Sequence, residues 1–452
     1  MTVRMREQLE GAIQATLFGL IVVIAFVASH IQPWNYPGFR PMRTLVLLEL
    51  AALAVAYLVV TRTRLRPLPG ALVTAAFTLL ALLSAAWSPH AGVTGDRAVG
   101  FAALVLAAGA LALGAVDRPR VASQLMLALL AATTLIAIVG VVELWNAYDG
   151  AVLPATKGQS ARYNGIGQNP NQIPMLIALT LPFALWVVRE SAGRLRAVAV
   201  GVVLFLVGSL VASGSRGAAI AAFVGCLAYL LAVAPRRRNV VVLAGTTALF
   251  VLAIAAMQIP QPATENPDDL YPEFGFTPKL GPMDLNGQLP LESEFGFPGE
   301  NVDTGKTRTL FFTSGRFQAW ESALEQGLDR PIAGYGFGTE DETFVDRSYL
   351  FVSEAVENSF IGVFLQLGAV GIALLIAALA LPLAAWWRVR SKLDPERREY
   401  AAACAGAVVA GIVLAVPQSY LTSVGSPPTA AFWIAFFLLA ALATPTRSAA
   451  PA

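Results

Sequence analysis

The chain has 452 residues, 56% of them hydrophobic and 13% charged, with a mean hydropathy of +0.64. A soluble domain carries about a quarter charged residues, so this composition excludes a soluble enzyme and points to an integral membrane protein. The formal net charge of +2 gives no reason to expect a nucleic-acid partner.

Apolar runs of roughly twenty residues mark membrane crossings. Twelve such runs lie at 11–30, 44–60, 70–87, 98–116, 121–143, 170–188, 195–213, 216–234, 239–258, 358–384, 400–417 and 428–444. The expected fold is an all-α polytopic membrane protein with about 12 transmembrane helices and one large extracytoplasmic loop containing short helices. The division that follows is 1–258 for helices one to nine, 259–357 for the loop, and 358–452 for helices ten to twelve with a cytoplasmic tail. The first run follows Arg4 and Arg6 as a signal peptide would, but no small-x-small cleavage site precedes Ser29 and further spans follow. It reads as a retained anchor.

Cys226 and Cys404 both fall within apolar runs, where a small buried residue is the simpler reading than redox or metal chemistry. His30 and His90 stand at the ends of runs and form no Cys/His cluster, so a zinc site is not expected.

Basic residues set the orientation. With the N-terminus inside, the inner set comprises Arg4 and Arg6, Arg62, Arg64 and Arg66, Arg118 and Arg120, Arg189, Arg194 and Arg196, Arg236, Arg237 and Arg238, then Arg388, Arg390, Lys392, Arg397 and Arg398, with Arg447 on the tail. The short outer loops hold only Arg40, Arg43, Arg97, Lys157, Arg162 and Arg216. Both termini are then cytoplasmic.

The stretch 259–357 carries 18 of the 29 acidic residues and only six basic ones. Its first part is rich in Pro and Gly and repeats Glu-Phe-Gly-Phe at 273 and 294, a composition that favours an irregular surface loop. Its second part changes character. Ser314–Leu328 shows helical spacing, with Phe317, Trp320, Ala323 and Leu324 on one face, and predicts an amphipathic outer helix resting on the bundle.

A cation at the edge of a hydrocarbon span is costly and suggests function. Arg216 stands between two spans in Ser213-Gly-Ser-Arg-Gly217 with almost no loop to carry it into water. A snorkelling end-cap is the bland alternative. Arg162 precedes the Asn169-Pro170-Asn171 helix start, where a solvated loop arginine is the alternative, and Arg316 opens the outer helix, where a surface ion pair with Asp303 would serve. Three arginines converging on one outer face suit a diphosphate, because guanidinium forks grip phosphate oxygens and keep their charge. Anionic lipid headgroups would need only a diffuse basic fringe.

Glu357 precedes Asn358 at the mouth of the tenth run, and a shielded carboxylate there suits a general base. A dipole-favoured helix-start carboxylate is the structural alternative. Glu49 and Glu143 fit a neutral or paired structural role at least as well as a catalytic one, and the run Glu340-Asp341-Glu342 lacks the ligand spacing of a metal site. The turn Pro331–Gly338 has no preceding strand and no dinucleotide spacing, so its glycines are expected to let the backbone pass close to a ligand.

Several phrases resemble the O-antigen ligase and polysaccharide polymerase superfamily of membrane glycosyltransferases, which has a GT-C-like fold. They are Ser84-Ala-Ala-Trp-Ser88, Asn169-Pro-Asn171 with Pro182, Ser215-Arg-Gly217, Ser314–Trp320 followed by Asp329–Gly338, and Glu357–Gly368. The resemblance implies an undecaprenyl-diphosphate-linked glycan donor, a glycan, lipid or cell-wall acceptor, and surrounding membrane lipids. It implies a bacterial cytoplasmic membrane location, a site on the outer face, and no cofactor or metal. Arg216, Arg316 and Glu357 take the catalytic roles. Arg162, Asn169, Asn171, Trp320, Gly336, Gly338 and Asn358 take substrate-binding ones. Ligases of the family usually carry His before Asn-Ser; Glu357 departs from that and tilts the reading toward polymerases. A transporter is disfavoured because no internal repeat or midplane charge is visible, and a peptidoglycan-type polymerase because the loop phrases fit less well.

Overall fold

The computed structural model describes residues 3–27, 40–146, 151–153, 162–166, 171–233, 237–256, 316–344 and 356–445. Its helices are α1 (Val3–Val27), α2 (Arg40–Thr61), α3 (Ala71–Leu83), α4 (Ala91–Val116), α5 (Pro119–Asn146), α6 (Gln172–Glu190) and α7 (Gly193–Ala212). They continue with α8 (Arg216–Ala232), α9 (Arg237–Ala256), α10 (Arg316–Leu328), α11 (Glu340–Thr343), α12 (Ser359–Val389), α13 (Pro395–Leu414) and α14 (Pro427–Ala443). Between α5 and α6, β1 (Val152–Leu153) pairs antiparallel with β2 (Arg162–Tyr163).

Each apolar run read from the sequence carries a helix. Among the described residues, α2, α4, α5, α6, α7 and α12 are long and apolar enough to cross a membrane, so the protein is a mostly helical, polytopic membrane protein. Apolar segments in α1, α3, α8 and α14 are shorter. α13 spends its first turn on Glu396, Arg397, Arg398 and Glu399, which leaves it a shorter apolar body. Residues 259–315, most of the acidic stretch expected to form the loop, lie outside the described residues, as do Asp303 and His30.

α14 is the axis of the bundle. Every residue from Pro427 to Ala443 is buried, and α4, α6, α12 and α13 pack around it. Phe101 and Phe436 meet Trp433 edge-on at 5.6 and 5.1 Å between ring centroids, a favoured aromatic geometry. Small residues set the closest helix approach: a Cβ on Gly225 of α8 would lie 2.6 Å from the Ala410 side chain of α13. Backbones come together this way in membranes, where van der Waals packing replaces hydrophobic drive.

The two ends of the bundle differ. At one, Arg66 pairs with Asp117 at 3.0 Å, and buried Arg397 donates to the carbonyls of Val116, Ala441, Leu442 and Thr444. Those bonds close the C-terminal ends of α4 and α14, whose last carbonyls have no partner within the helix. Arg189 and Glu399 form a buried pair at 2.9 Å. Several arginines assigned by charge to the inner side therefore also tie helix ends together. The opposite end carries Arg97, Arg162, Arg216 and Arg316.

α12 is broken. Gly368 has φ +63° and ψ −162°, and the chain kinks there before resuming helix. The turn 331–336 docks into the break as a short extended pair: Tyr335 N–H donates to Leu365 O at 3.1 Å, Gly336 N–H to Gln366 O at 2.8 Å, and Ala369 N–H to Pro331 O at 2.7 Å. The backbone groups released by the kink are thus satisfied, as a low-dielectric setting requires. A Cβ on Gly368 would collide with the backbone of Ile332. Gly368→Ala is expected to destabilise the protein by about 2–5 kcal/mol, from a left-handed alanine plus overpacking. Thermal unfolding in detergent would show it, and an unchanged midpoint would contradict the docking.

Candidate active site

The β1–β2 hairpin presents Arg162. Its register is held by Val152 opposite Tyr163, and by Asn164 N–H donating to Ala151 O at 2.7 Å. The Arg162 side chain is buried, with Nε donating to Ser213 O at 2.9 Å and Nη2 to Asn171 Oδ1 at 2.7 Å. Ser215 Oγ donates to the same Asn171 oxygen at 3.0 Å. Asn171 stands at the N-cap position of α6, yet its side chain makes no cap bond. It joins Arg162 to the turn that delivers Arg216.

That turn is Ser213-Gly-Ser215, in which Gly214 takes φ +63°, a conformation favourable to glycine. α8 begins immediately after it at Arg216. Arg316 opens α10 and lies within electrostatic range of Arg216. It also faces Glu357, with Nη2 3.9 Å from Oε2. The structure therefore brings together Arg162, Asn171, Arg216, Arg316 and Glu357, which lie far apart in sequence.

Glu357 is buried and has φ +57°, a left-handed conformation costing a non-glycine residue about 1–2 kcal/mol. Such strain concentrates at functional sites. Its neighbour Asn358 is committed differently: Oδ1 accepts from Phe360 N–H at 2.9 Å and Ile361 N–H at 3.1 Å, capping α12. That cap gives Asn358 Oδ1 a structural task at the start of α12.

The glycine turn packs closely against the bundle. Gly336 (φ +109°) would place a Cβ 2.5 Å from Ser88 Oγ, and Gly338 (φ +75°) would place one 2.6 Å from Arg97 Cδ. The close approach served by these glycines is to the α3–α4 corner. Phe337 N–H donates to Ser84 Oγ at 2.9 Å and Trp87 Nε1 donates to Ala333 O at 3.1 Å, so the phrases 84–88 and 331–338 are two halves of one contact.

Trp320 is half-buried against Ala319, Ala323 and Phe344, and meets Phe317 edge-on at 5.2 Å. α10 does rest on the bundle, through part of the face expected: Ala323 and Trp320 pack, joined by Ala319. Ala319 and Ala323 are buried while Phe317 and Leu324 are exposed, because Gly327 and these alanines permit close packing on α12. Asn169 lies outside the described residues.

Sequence reasoning missed the role of Glu340. Asp341 pairs with Arg97, Nη2 to Oδ2 at 2.7 Å, while Glu340 is buried among donors from Val356, Ser419 and Gln366. Burial pushes the Glu340 carboxyl up from 4.5 to about 7 against the pull of the Ser419 and Val356 hydrogen bonds, and Glu357 and Asp341 add to the rise. A raised carboxyl takes up its proton on folding, so its contribution to stability is fully present below about pH 4.5 and is lost as pH rises through 7. Thermal midpoints are expected to fall over that window, and Glu340→Gln to flatten the slope; equal slopes in both proteins would contradict this.

The family model described as O-antigen ligase matches residues 200–376. Over that stretch the chain is similar to the O-antigen ligase family. A search of curated proteins finds no match. The O-antigen ligase stretch contains Arg216, Arg316, Glu340 and Glu357, whereas Arg162 and Asn171 come from outside it and reach in through the 213–215 turn.

Proposed function

We propose that the protein is a membrane glycosyltransferase that transfers or polymerises glycan from an undecaprenyl-diphosphate-linked donor onto an acceptor hydroxyl. The observation that carries this reading is the gathering of Arg162, Arg216 and Arg316 beside Glu357 within a ligase-family bundle. All twelve helices with apolar runs are read as spans, with the site on the outer face, both termini cytoplasmic, and 259–357 as the loop over it.

In this mechanism the acceptor oxygen attacks the anomeric carbon of the donor sugar while the bond to the lipid diphosphate breaks. Glu357 takes the hydroxyl proton. Charge grows on the departing diphosphate, where Arg216 and Arg316 stabilise it without having to reorganise. Arg162 holds the turn that aims Arg216. Direct displacement inverts the anomeric configuration. The arginines supply the charge that a divalent cation could otherwise provide, so the reaction is written as metal-independent.

The charges gather at one end of the bundle, which favours surface chemistry over transport through a midplane site. Deleting the gene and profiling surface glycans on gels tests the reading. Loss of long chains with single repeats still attached identifies a polymerase, and long chains stranded on the lipid carrier identify a ligase. An unchanged profile would contradict both.

A further inference from the structure

Glu357 is held from both sides by one carboxylate. Glu340 Oε1 accepts the peptide N–H of Val356 at 2.6 Å, and also accepts from Ser419 Oγ at 2.7 Å. Ser419 Oγ in turn accepts the peptide N–H of Asn358 at 3.0 Å. The residues flanking Glu357 are thus tied, directly and through one hydroxyl, to a single buried group. The other oxygen, Oε2, accepts from Gln366 Nε2 at 3.1 Å, and Gln366 Oε1 accepts the N–H of Gly338 at 2.7 Å. A Cβ on Gly362 would lie 2.5 Å from Glu340 Oε2, so α12 leaves room for the carboxylate through a glycine.

We propose that Glu340 is a positioning residue: by gripping the peptide groups on both sides of Glu357, it holds that residue in its left-handed conformation with its carboxylate facing Arg316. The kinetic part rests on the glycosyltransferase reading above; the grip itself does not. In its ionised form, which dominates above about pH 7, Glu340 only accepts, and the polarity of the network fits that form. Val356, Ser419 and Gln366 all donate to Glu340, and Gln366 cannot turn its amide around without abandoning Gly338. A glutamine at 340 would therefore set one amide NH₂ against another.

The same polarity provides a rescue. In the exchange Glu340→Gln/Gln366→Glu, the new amide oxygen at 340 can still accept from Val356 and Ser419. The new amide NH₂ donates to the new carboxylate at 366, whose second oxygen accepts from Gly338. Every donor keeps an acceptor.

The test measures kcat and donor KM in detergent, together with hydrogen exchange at the Val356 and Asn358 amides. Glu340→Gln is expected to lower kcat about 100-fold through misplacement of the reacting group. Donor KM should stay within about threefold, because the arginines that bind donor are untouched. Exchange at both amides should rise about tenfold or more while the first turns of α12 stay protected. The double exchange is expected to restore both readouts. Ser419→Ala, which cuts only the indirect arm, should speed exchange at Asn358 more than at Val356 and covers the case in which Glu340→Gln does not fold. Unchanged exchange in Glu340→Gln and Ser419→Ala overturns the proposal, as does a folded double exchange that stays as slow as the single variant. If the wild type makes no product, the glycosyltransferase reading fails, and the exchange data still decide the grip.

Discussion

Replacing Arg216 with alanine is expected to lower glycan transfer by about 10²–10³-fold, the usual consequence of removing one fixed group aimed at developing charge. The protein should remain in the membrane at its normal level, because Arg216 occupies the first turn of α8 and the packing face of that helix lies further along, at Ala218, Ala222 and Gly225. Arg316→Ala should be as severe, and it also removes the ion pair at 3.9 Å with Glu357. Lysine is not expected to rescue Arg216, since a point charge cannot reproduce a bidentate fork. Arg162→Ala should behave differently. It strips bonds to Ser213 and Asn171 that hold the turn itself, so thermal stability and turnover should fall together. Initial rates with a lipid-linked donor distinguish these cases, and wild-type rates in both Arg216→Ala and Arg316→Ala would sink the diphosphate clamp.

A glycine at position 357 should separate chemistry from architecture. Glu357 sits at φ +57°, where glycine is at ease and glutamate is not. Glu357→Gly is therefore expected to match or exceed the thermal stability of the wild type while losing about 10²–10⁴ in turnover, the range a general base contributes. Glu357→Gln keeps the shape, the strain and the loss. Near-normal turnover in either variant would move the base elsewhere.

The helical runs could be read directly, because membrane hydrocarbon imposes a length and an apolarity that any span must show. The arginine cluster was visible for a related reason: a charge at a span edge, as in Ser213-Gly-Ser-Arg216, stands out against its surroundings. What those arginines touch was not visible. The Arg162 bonds to Asn171 and Ser213 join segments that only the folded bundle brings together. The glycine turn shows the same limit. Positive φ at Gly334, Gly336 and Gly338 follows naturally from three glycines, but their partners at Ser88, Arg97 and Gln366 lie in distant elements. Glu340 was hidden by its company, since three consecutive acids resemble a solvated run until one of them proves to be buried. The capping role of Asn358 did have a local signal, an asparagine immediately before an apolar helix.

Purified protein in detergent, given a polyprenyl-diphosphate-linked glycan donor and a hydroxyl acceptor, has no sealed compartment, so transport alone yields no product. A new glycosidic product of inverted anomeric configuration is expected, with release of polyprenyl diphosphate, and both are expected to be lost when Arg216 and Arg316 are replaced together. Absence of product with the wild-type protein, or undiminished product with the double variant, would contradict the glycosyltransferase reading.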